Sequence, residues 1–155
     1  MTRTELSSLG EFGLIDRFRS QFQNQNSKTI KGIGDDAAVI DTDTDFFTLV
    51  STDMLLEGVH FDLSYVPLKH LGYKAVAVNV SDIAAMNGTP QQITVSIGLS
   101  NRFSVEAIDE LYAGIQAACE AYNVDLIGGD TSSSRAGLII SITAIGTVHK
   151  DKIVY

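Results

Sequence analysis

The sequence predicts an α/β domain, because apolar segments typical of buried strands alternate along the chain with segments of helical periodicity. Hydrophobic residues make up 45% of the 155 residues and there are only 2 prolines, which is typical of a folded globular protein and excludes a disordered chain. This length is sufficient for one domain with a sizeable core.

Three helices are predicted. Apolar residues in the segment 9–22 recur near helical spacing, with Ser8 as the expected N-cap. Pro67 is suited to open a second helix, which is expected to close at Gly88. Ser104 is the expected cap of a third helix. The apolar stripe of that helix consists of Ile108, Leu111, Tyr112, Ile115, Cys119 and Tyr122.

Five strands are predicted from apolar or β-rich runs between turn residues, the last of them long. They cover residues 37–40, 46–51, 91–98, 125–127 and 138–148. The second strand is expected to end at a Ser-Thr-Asp sequence and the fourth at a Gly-Gly-Asp sequence. Residues 54–66 are expected to be irregular.

Charge and composition limit the partners of the protein. The chain has 19 acidic and 11 basic residues, a net charge of -8, so it should repel DNA and RNA, and a nucleotide should bind only through bridging cations. Cys119 is the single cysteine, so no disulfide can form within the chain. No apolar stretch is long enough to span a membrane and no secretory signal is visible at the first residues, so we expect a cytoplasmic protein without a membrane partner.

Four acidic motifs point to a magnesium site. Residues 32–37 read Gly-Ile-Gly-Asp-Asp-Ala and place two carboxylates in a glycine-rich turn. Three further motifs put an Asp beside small residues: Ser-Thr-Asp at 51–53, Asn-Val-Ser-Asp at 79–82 and Gly-Gly-Asp at 128–130. Carboxylates on tight turns suit Mg²⁺, and Mg²⁺ suits phosphate. The pattern therefore favours a phosphotransfer enzyme that uses Mg-ATP.

Each motif also has an alternative explanation that involves no ligand. The glycine-rich motif matches a dinucleotide-binding pattern, but the polar residues 26–31 do not form the buried strand that this pattern requires. An Asp-containing turn is the simpler alternative. The Ser-Thr-Asp motif could be a cap and the Gly-Gly-Asp motif a plain turn. The case for metal binding comes from the four motifs together.

Asp82 is the hardest of these acidic residues to explain as an ordinary surface residue. It shares one predicted helix face with an apolar stripe that contains Leu71, Ala75, Val78 and Ala85. A buried carboxylate is costly unless it is paired or bound to a metal, and no Lys or Arg lies one helical turn away. The alternative is that the helix turns Asp82 to solvent.

Other nucleotide-binding classes are excluded by missing motifs. The chain has no P-loop sequence and neither the His-Arg-Asp nor the Asp-Phe-Gly sequence of protein kinases. Among the histidines, His60 is the candidate ligand contact because it follows the Asp53 motif closely. His70 and His149 lack such neighbours and are expected at the surface, and Cys119 is expected in the core.

These motifs, in this order, resemble the thiamine-monophosphate kinase family. The resemblance runs from about Gly10 to Val148 and rests on several ordered sequences. They are Gly-Glu-Phe, Gly-Ile-Gly-Asp-Asp, Ser-Thr-Asp, Glu-Gly-Val-His-Phe, Asn-Val-Ser-Asp-Ile-Ala-Ala-Met and Ile-Gly-Gly-Asp-Thr. The family transfers the γ-phosphoryl group of ATP to thiamine monophosphate and produces thiamine diphosphate.

The resemblance implies roles for individual residues. The positions that match its Mg²⁺ ligands are Asp36, Ser51, Thr52, Asp53, Asp82 and Asp130. Gly129 and Asp130 match ATP contacts, and His60 matches a substrate contact. Tyr112 matches a nucleotide contact, although its position on the helix stripe is equally compatible with core packing. Asp35 belongs to the motif without an assigned contact.

The resemblance also implies a fold and an assembly. The family fold is similar to the amino-terminal domain of aminoimidazole ribonucleotide synthetase, a mixed β-sheet with helices packed on one face, whose sheets pair in a homodimer. Family members carry a second domain. Residues 1–150 would then form the ATP- and Mg²⁺-binding amino-terminal domain, and residues 151–155 would begin the linker to a carboxy-terminal domain.

Two alternatives to the kinase assignment stay open. One is another ATP-using member of the same superfamily, and the other is a non-catalytic module for nucleotide binding or dimerisation. In the kinase, the acceptor phosphate oxygen is already anionic, so the residues imply no general base. The acids would act by electrostatics and positioning.

Overall fold

One six-stranded sheet, in the order β1-β2-β3-β6-β4-β5, organises the computed structural model, which describes residues 5–155. Its strands are β1 (Thr29–Lys31), β2 (Ala38–Asp41), β3 (Phe46–Leu56), β4 (Thr89–Leu99), β5 (Asp125–Ser133) and β6 (Ile139–His149). Its helices are α1 (Gly10–Gln21), α2 (Leu68–Ala85) and α3 (Val105–Tyr122), with 3-10 turns at Leu6–Ser8 and Lys150–Lys152. The prediction of an α/β domain is confirmed.

The sheet is mixed. β4 and β5 are parallel and are joined through α3, whereas the other neighbouring strands pair antiparallel. Because β3 and β4 both run antiparallel to β6, they run parallel to each other, and α2 connects them on one face of the sheet. No helix among residues 5–155 is long and apolar enough to cross a membrane. The first four residues, on which the expectation about a secretory signal partly rests, lie outside the described residues.

The core lies between the sheet and α2. Alternate residues of the central strands point to this side, among them Leu49, Val95 and Ile142, and all three are buried. α2 packs on β3, β4 and β6, and α3 packs against α2. The opposite side of the sheet, which we call the open face, carries a group of polar residues at its centre. They are Thr52, Thr94, Ser96, Ser141 and Thr143.

The predicted starts of α2 and α3 are confirmed, whereas the predicted cap of α1 is wrong. α2 follows Pro67 as predicted, and the Ser104 hydroxyl accepts the Ala107 N–H at 3.1 Å as a cap of α3. Ser8, by contrast, does not cap α1. Its hydroxyl donates to the Glu5 carbonyl within the preceding 3-10 turn, so α1 begins after Leu9 without a side-chain cap.

The predicted strand ends at the acidic motifs are wrong. Ser-Thr-Asp at 51–53 lies inside β3, which pairs with β6 from Phe46 to Leu56. Gly-Gly-Asp at 128–130 lies inside β5, which pairs with β4 up to Ser133. In both cases the ladder of a long neighbouring strand overrides the turn preference of Ser, Thr, Asp and Gly.

The buried face of α2 is also rotated relative to the prediction. Val78 and Ala85 are not buried, whereas Asn79 and Ile83 are. Asp82 therefore lies at the margin of the buried face, partly exposed, instead of at its centre.

Two glycines allow α2 and α3 to pack closely. A Cβ atom at Gly72 would lie 2.0 Å from the Leu111 carbonyl oxygen, and one at Gly114 would lie 1.8 Å from the Lys69 carbonyl oxygen. Both obstacles are helix backbone, which cannot move aside as a side chain can. The two helices therefore approach each other as only glycine permits.

We expect Gly114→Ala to lower the free energy of unfolding by about 2 kcal/mol, because overpacking here must separate the two helices. Urea denaturation at equilibrium measures this change.

Gly13→Ala in α1 is the matched control. Its Cβ would meet Leu9 Cβ at 3.4 Å, an ordinary contact, so we expect stability to stay constant or to rise by up to about 1 kcal/mol. Equal effects of the two substitutions would contradict the close helix contact.

Candidate functional site

Two polar residues of α2 hold the middle of β3. The Ser51 hydroxyl donates to Asp82 Oδ2 at 2.7 Å, and the Asp53 N–H donates to Asn79 Oδ1 at 2.9 Å. Residues 51 and 53 point to the same side of a strand, and positions 79 and 82 are one turn apart on a helix. The spacing of the two motifs in sequence thus produces two matched contacts between the elements.

Nearby negative charges meet at Asp82. Burial raises the pKa of the Asp82 carboxyl, and the neighbouring carboxylates of Asp53 and Asp36 raise it further, while the Ser51 hydrogen bond opposes the rise. Three of the predicted metal ligands therefore influence one another electrostatically. A cation placed among them would relieve this repulsion.

The glycine-rich turn connects β1 to β2 and carries Asp35 and Asp36. The Ala37 N–H donates to Met86 Sδ at 3.2 Å, which fixes the turn to the end of α2. Asp35 is paired with Lys31, and this hydrogen bond lowers the pKa of the Asp35 carboxyl. The Asp36 carboxylate is exposed and has no such partner within residues 5–155, so it is the acid of the pair that is available to a ligand.

A groove between α1 and this turn collects several predicted residues. Its lining includes Asp36, Ser51 and Thr52, together with Asp35 and Arg19. The structure thus brings the first two acidic motifs to one accessible surface.

The acids fit Mg²⁺ in charge but do not form a closed cage. No three His, Cys, Asp or Glu side chains in the described part of the chain enclose a metal-sized space. Mg²⁺ is commonly held by only one or two carboxylates, with water and substrate phosphates completing its octahedron. Asp36, Asp53 and Asp82 are therefore suited to an open site that a phosphate ligand would complete.

The predicted nucleotide contacts lie in a second cleft, between α3 and β5. Tyr112, Gly129 and Asp130 all line it. A Cβ at Gly129 would lie 1.8 Å from the Val95 carbonyl oxygen, so only glycine lets β5 run this close to β4. Tyr112 is half-buried, and burial raises the pKa of its hydroxyl.

One row of the sheet connects Asp53 with the second cleft. Asp53 pairs with Ile142, Ile142 with Val95 and Val95 with Gly129, so three strand spacings, about 14 Å, separate Asp53 from Gly129. Asp130 pairs with Ser96, which places the Asp130 side chain on the open face.

Thr52 also points to the open face. Its hydroxyl donates to the Ile142 carbonyl at 3.1 Å and accepts from Thr143 Oγ1 at 3.2 Å. Within this chain, the side chains of Thr52 and Asp130 therefore do not join the group formed by Ser51, Asp53 and Asp82.

His60 lies in the turn after β3 and lines neither cleft. Its Nδ1 accepts the Leu56 N–H at 2.9 Å, and its carbonyl accepts from Lys74 Nζ at 3.2 Å. These contacts fix the turn and leave Nε2 as the ring nitrogen that could meet a ligand.

Two contributors were not assigned roles from the sequence. Asn79 is 1% exposed and bonds the Asp53 backbone, and Met86 anchors the glycine-rich turn. The signal for Asn79 was its spacing, since it lies on the same helix face as Asp82. No sequence signal distinguishes Met86 from an ordinary core methionine.

Comparison with known proteins identifies the family of the chain. The family model for the AIR synthase related protein, N-terminal domain, matches residues 34–148. The thiamine-monophosphate kinase of Bacillus subtilis (strain 168) is 38% identical over 142 residues, which cover 92% of this chain and 43% of the relative. That of Aquifex aeolicus (strain VF5) is 37% identical over 145 residues, covering 94% and 44%.

A solved structure of AaThiL complexed with AMPPCP and TMP superposes with a TM-score of 0.87 at 34% identity, covering 99% of this chain and 46% of that one. The chain thus spans less than half the length of the relatives it matches. The matched residues include the glycine-rich turn from Gly34, both motif-bearing strands and the acidic end of α2. The chain therefore belongs to the AIR synthase related protein family and carries its N-terminal domain.

Proposed function

We propose that this chain is the amino-terminal, Mg-ATP-binding part of a cytoplasmic thiamine-monophosphate kinase, which transfers the γ-phosphoryl group of ATP to thiamine monophosphate. The observation that carries the proposal is the junction of α2 and β3, where hydrogen bonds of 2.7 Å and 2.9 Å join Ser51 to Asp82 and Asp53 to Asn79, and where the charges of Asp36 and Asp53 raise the pKa of Asp82. It is also supported by sequence similarity: two thiamine-monophosphate kinases are 38% and 37% identical to this chain in alignments that cover 92% and 94% of it.

We assign nucleotide contacts and Mg²⁺ ligands to different groups of residues. Tyr112 offers an aromatic ring, and Gly129 and Asp130 offer an exposed strand edge, to the nucleotide. The proposed Mg²⁺ ligands are Asp36, Ser51, Thr52, Asp53, Asp82 and Asp130. Thr52 and Asp130 would meet metal through backbone oxygen or from the open face, because their side chains lie away from the Asp82 group.

The proposed chemistry needs charge neutralisation more than proton transfer. Bound Mg²⁺ would neutralise the donor and acceptor phosphates so that they can align for in-line transfer. The chain's own acids would position the ions, and Ser51 would orient Asp82 by its hydrogen bond. The acceptor oxygen is already anionic, so we assign no catalytic base.

The remaining parts of the proposal concern assembly and substrate. Residues 1–150 would form the ATP- and Mg²⁺-binding domain, and residues 151–155 would begin the linker to a carboxy-terminal domain. His60 would contact thiamine monophosphate through Nε2. Two copies would pair through their sheets as a homodimer, which would cover the open face.

We expect the 155-residue chain to bind Mg-AMPPNP in calorimetric titrations, and Asp53→Asn to weaken this binding about tenfold or more, because a charge-assisted contact is lost. Repeating the titration with thiamine monophosphate present tests the substrate assignment.

Asp45→Asn is the matched control. Asp45 is an exposed acid in the turn before β3, so this variant changes the net charge equally without touching the site, and its affinity should equal that of the parent. Parental affinity in both Asp53→Asn and Asp82→Asn would refute the metal site. Nucleotide binding that is indifferent to thiamine monophosphate would favour the non-catalytic module.

We expect Asp82→Asn to raise the melting temperature at neutral pH in the absence of Mg²⁺. Because the pKa of the Asp82 carboxyl is raised on folding, its contribution to stability is full below the ordinary carboxyl pKa and is lost as pH rises through the folded pKa. The amide cannot ionise, and it can still accept from Ser51. Thermal unfolding between pH 4 and 8 measures the difference.

Asp62→Asn should have the opposite effect and lower the melting temperature at neutral pH. The Ser64 backbone N–H lowers the pKa of the Asp62 carboxyl, so its ionised form stabilises the fold above the ordinary pKa and this stability is lost as pH falls. If the melting temperature at neutral pH falls in both Asp82→Asn and Asp62→Asn, the electrostatic interpretation of Asp82 is contradicted.

A further inference from the structure

We propose that Asn79 is a positioning residue for Asp53: its buried side-chain amide fixes the strand backbone that presents the Asp53 carboxylate to the metal. The inference rests on the proposed function and deepens it. Asn79 is one of only two buried polar residues among those described, and the other, Ser51, belongs to the same junction.

The hydrogen bonds of Asn79 fix the orientation of its amide. Oδ1 accepts the Asp53 N–H at 2.9 Å, and Nδ2 donates to the Ala75 carbonyl at 2.8 Å, one turn earlier on α2. The reversed amide would oppose donor to donor and acceptor to acceptor, so the two partners select one orientation. Because both partners are backbone groups, the side chain links strand and helix independently of neighbouring side chains.

The sheet shows where this contact acts. β2 pairs with β3 only between Ala38–Val50 and Asp41–Phe47, so the edge of β3 beyond Val50 has no strand partner on that side and is left to the glycine-rich turn and its Asp36. The backbone hydrogen bonds at the two ends of β3 direct its odd-numbered N–H groups toward β6. Asn79 therefore reaches the Asp53 N–H from the helix side of the sheet, where α2 packs on β3.

The second contact on α2 makes the positioning specific. Asn79 holds the backbone of Asp53, while Asp82 accepts from the side chain of Ser51. These contacts fix β3 at two points on one face. Small rotations of the Asp53 backbone would otherwise change the distance between the Asp53 and Asp82 carboxylates, which sets the geometry of any shared cation.

The test uses Mn²⁺ alone as the probe and the 155-residue chain as the protein. Paramagnetic broadening of amide signals by NMR reports the affinity at β3 without any nucleotide. We expect Asn79→Ala to weaken Mn²⁺ binding about tenfold or more, as loss of an outer-shell contact commonly does. Asn79→Leu, which fills the same space without an acceptor, should give the same loss and covers the case in which the alanine variant does not fold.

Hydrogen exchange separates positioning from general destabilisation. In both variants the Asp53 amide should lose protection while the Leu49 and Leu55 amides of the same strand keep theirs. Val76→Ala is the matched control: it truncates another buried residue of α2, and it should lower the melting temperature without changing Mn²⁺ affinity.

The outcomes distinguish this inference from the proposed function. Parental Mn²⁺ affinity in the Asn79 variants, when Asp53→Asn loses it, overturns the role of Asn79 and leaves the metal site standing. Weak Mn²⁺ binding in the Asn79 variants, combined with Mg²⁺-independent AMPPNP binding by the parent, overturns the kinase proposal and leaves the positioning role standing. Absence of Mn²⁺ binding by the parent, or uniform loss of protection along β3, also overturns the inference.

Discussion

The contact between α2 and the part of β3 beyond the end of β2 is the constraint on which the rest of the site depends. β2 stops opposite Val50, and the next residues of β3 keep their pairing with β6 and are contacted by polar side chains of α2. This arrangement introduces a carboxylate, an amide and a hydroxyl at the edge of an otherwise apolar core. The burial that raises the pKa of Asp82 opposes folding stability when this carboxyl is ionised. A cost of this kind is expected where function is selected above stability.

The glycine contact between α2 and α3 has a corresponding effect on the other cleft. Gly72 and Gly114 let the helix backbones approach as no other residue would allow. α3 is thereby held against α2, and Tyr112 faces the strand that carries Gly129 and Asp130. The same helix, α2, thus fixes β3 through polar side chains and α3 through a small-residue contact. The relative position of the two clefts therefore depends on α2 more than on any loop.

The sequence predicts the elements of this fold better than the placement of its motifs. The alternation of strands and helices, the cap at Ser104 and the start of α2 after Pro67 all follow from local chemistry and are confirmed. The positions of Ser51 to Asp53 and of Gly129 within their strands depend on pairing with β6 and β4, partners that lie far away in sequence. Local turn preference predicted strand ends there, and non-local hydrogen bonding extends the strands instead.

The same distinction applies to the site residues. Asp82 was identifiable because a carboxylate beside an apolar stripe requires a partner, and the structure supplies Ser51. The role of Asn79 depends on how α2 packs on β3, which no helical pattern encodes. Nor did the sequence predict that Thr52 and Asp130 face away from Asp53, because this follows from the position of these residues inside long strands, where successive side chains point to opposite faces.

The exposure of β5 connects the fold to the proposed chemistry. This edge strand is exposed along its whole length, and Leu126 and Ile127 are 43% and 58% exposed. An open, partly apolar edge is normally protected, because its free backbone groups can pair with another chain. A ligand that meets backbone groups, however, needs such an edge, and Gly129 is the point where a side chain is absent on the helix side. The net negative charge of the protein repels a free nucleotide, so a nucleotide would have to bind through Mg²⁺. Such a bridged nucleotide requires accessible backbone, as beside Asp130, and accessible acids, as around Asp82.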